Sequence, residues 1–173
     1  LSSSSAASDV YKRQELIISD EASATAVSQV FMNTNMSAAG GVVAALLTSL
    51  ILTGKSDVTM AINGAIAGLV AITAGPSAPT GGEAVIIGAI GGVIVYFSIL
   101  FFEKTLKMDD PVGAISAHGT VGIYGVMVVP FTSDASFLWQ LYGVVAIAGF
   151  TYVASLIVIY VINMFLSIRA TDE

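Results

Sequence analysis

The chain contains a single histidine, His118, and this side chain is the first candidate for chemistry. An imidazole gains or loses its proton near neutral pH and can either donate or accept a hydrogen bond. Ala114, Gly122 and Gly125 lie at α-helical spacing from it, so an α-helix would place all four residues on one face. These small neighbours leave open space beside the ring. The same pattern also suits a core histidine bonded to a carbonyl, with glycines for close helix packing.

The segment before the histidine has the sequence of a helix start. Asp109 and Asp110 are adjacent carboxylates followed by Pro111, and both acidic groups and proline are favoured at the N-terminal end of a helix. The pattern therefore predicts a helix over residues 111–131. For Asp110 we favour a structural role as a helix cap, typically worth about 0.5–2 kcal/mol, over direct cation binding or proton acceptance.

The composition is that of a membrane protein with several spans. Hydrophobic residues make up 55% of the 173 residues, charged residues make up 10%, and the mean hydropathy is +0.88. Soluble domains carry about 25% charged residues. The 17 glycines suit close packing of membrane helices. An ionisable group inside a bilayer is costly and usually marks a pathway or a relay, so this setting favours a functional role for His118.

Several classes of function lack the residues that they need. The chain has no cysteine, which excludes disulfides and thiolate metal sites. The carboxylates and the one histidine do not have the spacing of a metal centre, and no glycine-rich phosphate loop is present. The net charge of −6 gives no reason to expect nucleic acid as a partner. No cofactor is indicated, and an enzyme is not expected because His118 lacks a recognisable nucleophile or metal partner.

Apolar segments predict an all-α fold with five transmembrane helices. A helix needs about 20 apolar residues to cross a hydrocarbon core of roughly 30 Å. The second segment is short and carries Asn63 centrally, so we expect other helices to surround it, with Asn63 and Thr73 making packing hydrogen bonds. The predicted spans are residues 30–52, 58–73, 84–102, 111–131 and 137–166.

The two ends of the chain differ from this membrane domain, which covers residues 30–167. The serine-rich residues 1–14 indicate either a translated artefact or an ordinary disordered N-terminus. Residues 15–29 are expected to form a polar, acidic lead-in outside the cell or in the periplasm. Residues 168–173 are expected to begin a polar cytoplasmic tail.

Basic residues between the spans predict the orientation of the chain in the membrane. Lys55, Lys104, Lys107 and Arg169 all follow odd-numbered spans and therefore lie on one side. The loops on the other side contain no Lys or Arg when residues 1–14 are set aside. By the positive-inside rule, the C-terminus is expected to be cytoplasmic.

Three motifs carry a resemblance to a known family. They are Phe-Met-Asn-Thr-Asn at residues 31–35, Asn-Gly-Ala-Ile-Ala-Gly-Leu-Val-Ala-Ile-Thr-Ala-Gly at residues 63–75, and Asp-Asp-Pro-Val-Gly-Ala-Ile-Ser-Ala-His-Gly at residues 109–119. With these motifs in this order, the chain resembles the C-terminal half of the ammonium transporter (Amt/Mep/Rh) family over residues 22–173. The resemblance implies the last five helices of an eleven-helix fold.

The resemblance implies a homotrimer in which each subunit has its own narrow, hydrophobic pore for ammonium or ammonia. His118 would be the second of two pore histidines, Ile66 and Ala114 would line the pore, and Asp110 would be a structural carboxylate. Charge is expensive to move through an apolar pore, and loss of water favours deprotonation of ammonium. Paired neutral imidazoles could then hydrogen-bond ammonia and relay the proton separately.

The same resemblance implies parts that residues 22–173 do not supply. The first pore histidine, the outer aromatic gate and the external cation site come from the other half of the fold, and a cytoplasmic regulator would dock on a longer tail. Transporter sites form between inverted repeats, so the chain is expected to be a fragment that does not transport unaided. The expected location is the plasma (inner) membrane, in contact with lipid. The alternative is a non-transporting membrane sensor or scaffold related to the family.

Overall fold

The computed structural model describes residues 21–166, and every regular element in that range is helical. The prediction of an all-α fold with five helices is confirmed. Residues 1–20 and 167–173 lie outside the described residues, and with them the predictions for residues 1–14 and for the tail. The helices are α1 Glu21–Thr53, α2 Val58–Ile72, α3 Gly81–Leu100, α4 Ile115–Phe131 and α5 Phe137–Phe165.

Helices α1, α3 and α5 are long and apolar enough to cross a membrane. α1 has 33 residues and α5 has 29, and α3 reaches 26 residues when its π-helical continuation Phe101–Leu106 is included. The 15 residues of α2 extend only about 22 Å at 1.5 Å per residue, less than a hydrocarbon core of roughly 30 Å. This shorter helix packs against both α1 and α3, as its sequence predicts.

The helix starts differ from the prediction at three places, the smallest difference being that α3 begins at Gly81 and not at residue 84. α1 begins at Glu21, so residues 21–29 of the predicted lead-in are helical. A helix can continue through polar residues that tolerate helical geometry, and it does not have to stop where the hydrocarbon ends. Pro111 lies in a turn and not in the first turn of α4, which begins at Ile115. Gly113 in that turn has a φ of 68°. Because this left-handed backbone conformation cannot be part of a right-handed α-helix, the helix cannot extend back through Gly113.

Side-chain caps define the starts of α2 and α3. The Asp57 carboxylate accepts a hydrogen bond of 2.8 Å from the Thr59 N–H. Thr80 and Glu83 form a reciprocal capping box, in which the Glu83 carboxylate accepts from the Thr80 N–H at 2.7 Å. Each cap satisfies N–H groups that have no partner inside the helix.

Glycines bring the backbones of α1, α2 and α3 into direct contact. A Cβ added at Gly40 would meet the Val85 carbonyl oxygen of α3, whereas one added at the adjacent Gly41 would meet the Gly64 carbonyl oxygen of α2. A Cβ at Gly88 would likewise meet the Ser37 carbonyl oxygen of α1. The small-residue spacing in the sequence therefore marks real helix contacts, with helix packing that larger side chains would prevent.

The apolar core lies between α2, α3 and α4. α4 approaches α2 closely, since a Cβ at Gly125 would lie 2.8 Å from the Ala71 carbonyl oxygen. The fully buried or nearly buried members of the core are Ala67, Ala71, Ile87, Val95, Ile99, Ala117 and Val121.

Helix α5 belongs to a second compact unit that starts at Phe137. It contains no buried residue, and its surface is apolar along nearly its whole length. Trp139 and Tyr142 contact each other edge to face, with ring centroids 6.1 Å apart. These two residues suit the interfacial end of a membrane helix.

Candidate functional site

His118 lies in a π-helical turn, Ile115–Thr120, at the start of α4. The turn closes with a hydrogen bond from the Val121 N–H to the Ser116 carbonyl, five residues apart. The imidazole is exposed, whereas Ser116 and Ala117 of the same turn are buried. π-helical turns are rare and occur frequently at functional sites. The sequence does not indicate this turn.

Only part of the predicted small-residue face surrounds the histidine. Ala114 and His118 are both exposed, Gly122 is half-buried, and Gly125 turns into the core against α2. A π-helical turn contains more residues than an α-helical turn, so residues at α-helical spacing drift around the helix. The expectation of one shared face for all four residues is therefore wrong.

Ile66 lies on α2, the helix that packs against the π-helical turn. Its side chain is half-buried and contacts the apolar core. Ala114, by contrast, is exposed directly before that turn. The structure thus leaves Ala114 exposed four residues before His118 and places Ile66 on the neighbouring helix.

Asp110 holds the start of the π-helical turn from outside the helix. Asp110 is 3% exposed, and its carboxylate accepts hydrogen bonds from the Ile115 N–H at 3.0 Å, the Ser116 N–H at 3.1 Å and the Ser116 hydroxyl at 2.9 Å. Burial, the largest single influence, raises the pKa of this carboxyl, but the hydrogen bonds from Ile115 and Ser116 together lower it below its ordinary value. Asp110 is thus a buried, charged cap whose partners are all within its own chain segment.

Ser98 of α3 holds the other end of the same turn. Its hydroxyl donates a hydrogen bond of 2.8 Å to the Thr120 hydroxyl, and Ser98 is 7% exposed. Sequence reasoning missed this pair. The signal that could have found it is a serine inside an otherwise apolar helix, which needs a partner in a membrane.

Asn63 and Asn33 are buried amides outside this turn. Asn63 packs against the glycine turn, since a Cβ added at Gly113 would lie 2.8 Å from its Oδ1. Asn33 is fully buried and donates hydrogen bonds to the carbonyl oxygens of Pro76, at 2.9 Å, and Pro79, at 2.6 Å. The bonds of Asn33 therefore fix the turn between α2 and α3, whereas Asn63 lies against the turn before α4. Thr73, predicted to make a packing bond, donates to the carbonyl of its own helix at Leu69.

Replacement of Asp110 tests its importance as a cap. Asp110→Ala is expected to lower the free energy of unfolding by about 1–3 kcal/mol, because it leaves buried N–H and hydroxyl donors without an acceptor. Thermal unfolding in detergent measures the loss. Asp109→Ala is the matched control: its carboxylate is exposed, and a change within about 0.5 kcal/mol is expected.

The difference in unfolding free energy between wild type and Asp110→Ala should depend on pH, because the pKa of Asp110 is lowered in the folded protein. The stabilisation is fully present above the unfolded-state value of 3.8 and is lost as pH falls through the lower folded-state pKa. The difference between wild type and Asp110→Ala should therefore persist at neutral pH and shrink only in strong acid. A difference that has already vanished at about pH 6 would contradict this account.

Among residues 21–166, no group of three or more histidine, cysteine or acidic side chains is arranged to hold a metal ion. The fold and the site together define an integral membrane protein with several helical spans. The profile of the Ammonium Transporter Family matches residues 18–173, and the chain belongs to this family. The resemblance stated from the three motifs is confirmed.

Relatives in bacteria and archaea support this membership. The chain is 32% identical over 159 residues to an ammonium transporter of Bacillus subtilis (strain 168), covering 83% of the chain and 39% of that protein. It is 41% identical over 111 residues to the ammonium transporter Amt2 of Archaeoglobus fulgidus, covering 64% of the chain and 24% of that protein.

Solved structures share the fold. A sensor Amt protein superposes with a TM-score of 0.80 at 30% identity, covering 84% of this chain and 39% of the other. Mep2 of Candida albicans superposes with a TM-score of 0.77 at 25% identity, covering 85% and 37%. The chain thus spans about two fifths or less of the length of these four relatives.

Proposed function

We propose that the chain supplies one half of a pore for ammonium or ammonia, with His118 as one of two pore histidines. The observation that carries the proposal is an exposed imidazole on a π-helical turn, on a helix whose opposite face is packed in the apolar core. An ionisable side chain facing lipid is costly, so this surface needs a polar or protein partner. A complementary half of the fold, bringing a second histidine, would cover it.

Ala114 and Ile66 are proposed to form apolar lining on either side of the histidine. Ala114 is exposed four residues before His118, and the half-buried Ile66 belongs to the helix that packs against the same turn. An apolar lining strips water from ammonium and favours neutral ammonia, to which a neutral imidazole can hydrogen-bond. Asp110 would contribute by holding this turn and not by binding the cation, because its hydrogen bonds go to Ile115 and Ser116.

The assembly and orientation proposed are those of the family: a homotrimer in the plasma (inner) membrane, with a cytoplasmic C-terminus on which a regulator would dock. Lys55 lies after α1, and Lys104 and Lys107 lie after α3, so helix alternation puts all three at one end of the membrane unit. The positive-inside rule supports a cytoplasmic position for that end.

A membrane ammonium sensor is the second candidate function. The observation that favours it is the superposition on a sensor Amt protein with a TM-score of 0.80. A sensor would use the same histidine-bearing surface to bind its ligand, and conduction would then be weak or absent.

Flux measurements with purified protein in liposomes test the proposal. The 173-residue chain alone is expected to give no ammonium-dependent flux, because its histidine surface is open. The chain joined to the first six helices of a family relative is expected to conduct, with size-exclusion chromatography to confirm folding. Robust flux from the chain alone would contradict the need for a second half. A folded six-plus-five-helix protein that binds ammonium without conducting it would favour the sensor.

A further inference from the structure

The π-helical turn that carries His118 is anchored at both ends by side-chain hydrogen bonds. Asp110 holds Ile115 and Ser116 at its start, and Ser98 holds Thr120 at its end. His118 lies between these anchors, two residues before Thr120. The Ser98 anchor comes from a different helix and therefore ties the turn to α3.

Among residues 21–166, the Ser98–Thr120 contact differs from the bonds that several other helical hydroxyls make, although Ser37 on α1 also reaches another helix, where it donates to the Gly68 carbonyl of α2 at 2.7 Å. Thr48 donates to the carbonyl of Ala44 at 2.7 Å, and Ser28 donates to the carbonyl of Ala24 at 2.8 Å, each within its own helix. Such local bonds are the default for serine and threonine in helices because they need no second element. Ser98 instead reaches across to a hydroxyl on α4, so its bond constrains how the two helices face each other.

That constraint acts on the direction of the imidazole. A π-helical turn contains one residue more than the same stretch of α-helix. If the turn changed to α-helix, the residues before it would rotate about the helix axis by about 100° relative to the residues after it. Val121 and Gly125 are fixed in the core, so the rotation would fall on the residues just before Val121, which include His118 and the buried Ala117. A bond at Thr120, where the π-helical turn ends, opposes this rotation.

We propose that Ser98 and Thr120 are positioning residues that hold the π-helical turn and thereby aim His118. The inference rests on the proposed function in one respect, that the direction of His118 matters for the pore. The structural part stands independently: loss of either hydroxyl changes the surroundings of the imidazole without unfolding the protein.

The single histidine makes this testable by NMR on the full chain in detergent micelles. His118 gives the one imidazole Hε1–Cε1 cross-peak of the sequence. Ser98→Ala and Thr120→Val are each expected to shift that cross-peak by more than its linewidth while helical circular dichroism is retained. The double variant should shift it no further than the single variants, because one bond is lost in every case.

Conservative variants and matched controls separate positioning from general damage. Thr120→Ser and Ser98→Thr keep a hydroxyl and are expected to leave the cross-peak near its wild-type position. Thr48→Val and Ser28→Ala remove hydroxyls that bond locally, and should not move it. If Ser98→Ala loses helical structure, Thr120→Val decides, since it preserves side-chain shape.

Either of two results would overturn the proposal. In the first, Thr120→Val shifts the cross-peak no more than Thr48→Val does. In the second, Thr120→Ser, which keeps the hydroxyl, shifts the cross-peak as far as Thr120→Val does. Both results are distinct from failure of the proposed function. In the protein completed by the other half, unaltered flux in a His118 variant would refute the pore histidine, whatever the cross-peak of the Ser98 variant shows. Flux that needs His118 but does not change in Ser98→Ala would refute only the effect of this positioning on the pore.

Discussion

Gly88→Ala is expected to destabilise the membrane unit by about 3 kcal/mol, a large effect for the addition of one methyl group. The new Cβ would meet the Ser37 carbonyl oxygen, which belongs to the backbone of α1 and has no rotamer through which to withdraw. Helices α1 and α3 would have to separate, and their neighbouring contacts at Gly40 and Gly92 would loosen with them. Thermal or denaturant unfolding in detergent, followed by circular dichroism, measures the loss.

Gly82→Ala is the matched control in the same helix. A Cβ at Gly82 has no neighbour within 4 Å, so the variant is expected to be neutral, or more stable by up to about 1 kcal/mol because alanine is the better helix former. Equal stability of the Gly88 and Gly82 variants would show that backbone contact between α1 and α3 is not what holds the unit together.

His118→Ala, placed in the protein completed by its other half, is expected to change ammonium-dependent flux by about tenfold or more. A tenfold change corresponds to about 1.4 kcal/mol, the magnitude of one net hydrogen bond between the imidazole and the transported species. His118→Asp keeps a polar group but introduces a carboxylate, and is expected to alter selectivity between ammonium and potassium by favouring a charged species in the pore. Currents on supported membranes with each cation measure both quantities.

Thr48→Val serves as the control for these transport measurements. Its hydroxyl bonds to a carbonyl of its own helix, α1, and the substitution should leave flux and selectivity unchanged.

Flux and selectivity that are unaltered in both His118 variants would exclude a conducting role for the histidine. The variants also test the sensor alternative, because a sensor can lose ammonium binding through His118→Ala without any change in an already negligible flux.

The number of helices and the contacts between them follow from local sequence properties. Apolar length gives the five helices, and pairs such as Gly64 and Gly68 mark the surfaces along which they touch. The helix starts follow less directly. Hydropathy reports where lipid begins, whereas helix formation depends on backbone bonding, and α1 therefore extends to Glu21 through polar residues.

The candidate site is only partly encoded in local sequence. Asp110 could be assigned to the start of α4 because its residue type suits that position, but its reach to Ile115 and Ser116 depends on the left-handed backbone of Gly113. The π-helical turn depends further on contacts from other helices. Ser98 lies 22 residues before Thr120, and neither residue predicts the other without the packing of α3 against α4.

The glycine contacts of α1 also bear on how this half of the fold can move. Gly40 faces the backbone of α3 and Gly41 faces the backbone of α2, so α1 interlocks with two neighbours at adjacent residues. A piston or screw displacement by one residue would drive Cβ atoms of α1 into those carbonyl oxygens. We therefore expect these three helices to behave as one stiff block. Passage of a solute along this block would rely on side-chain fluctuations and not on rocking of one helix against another.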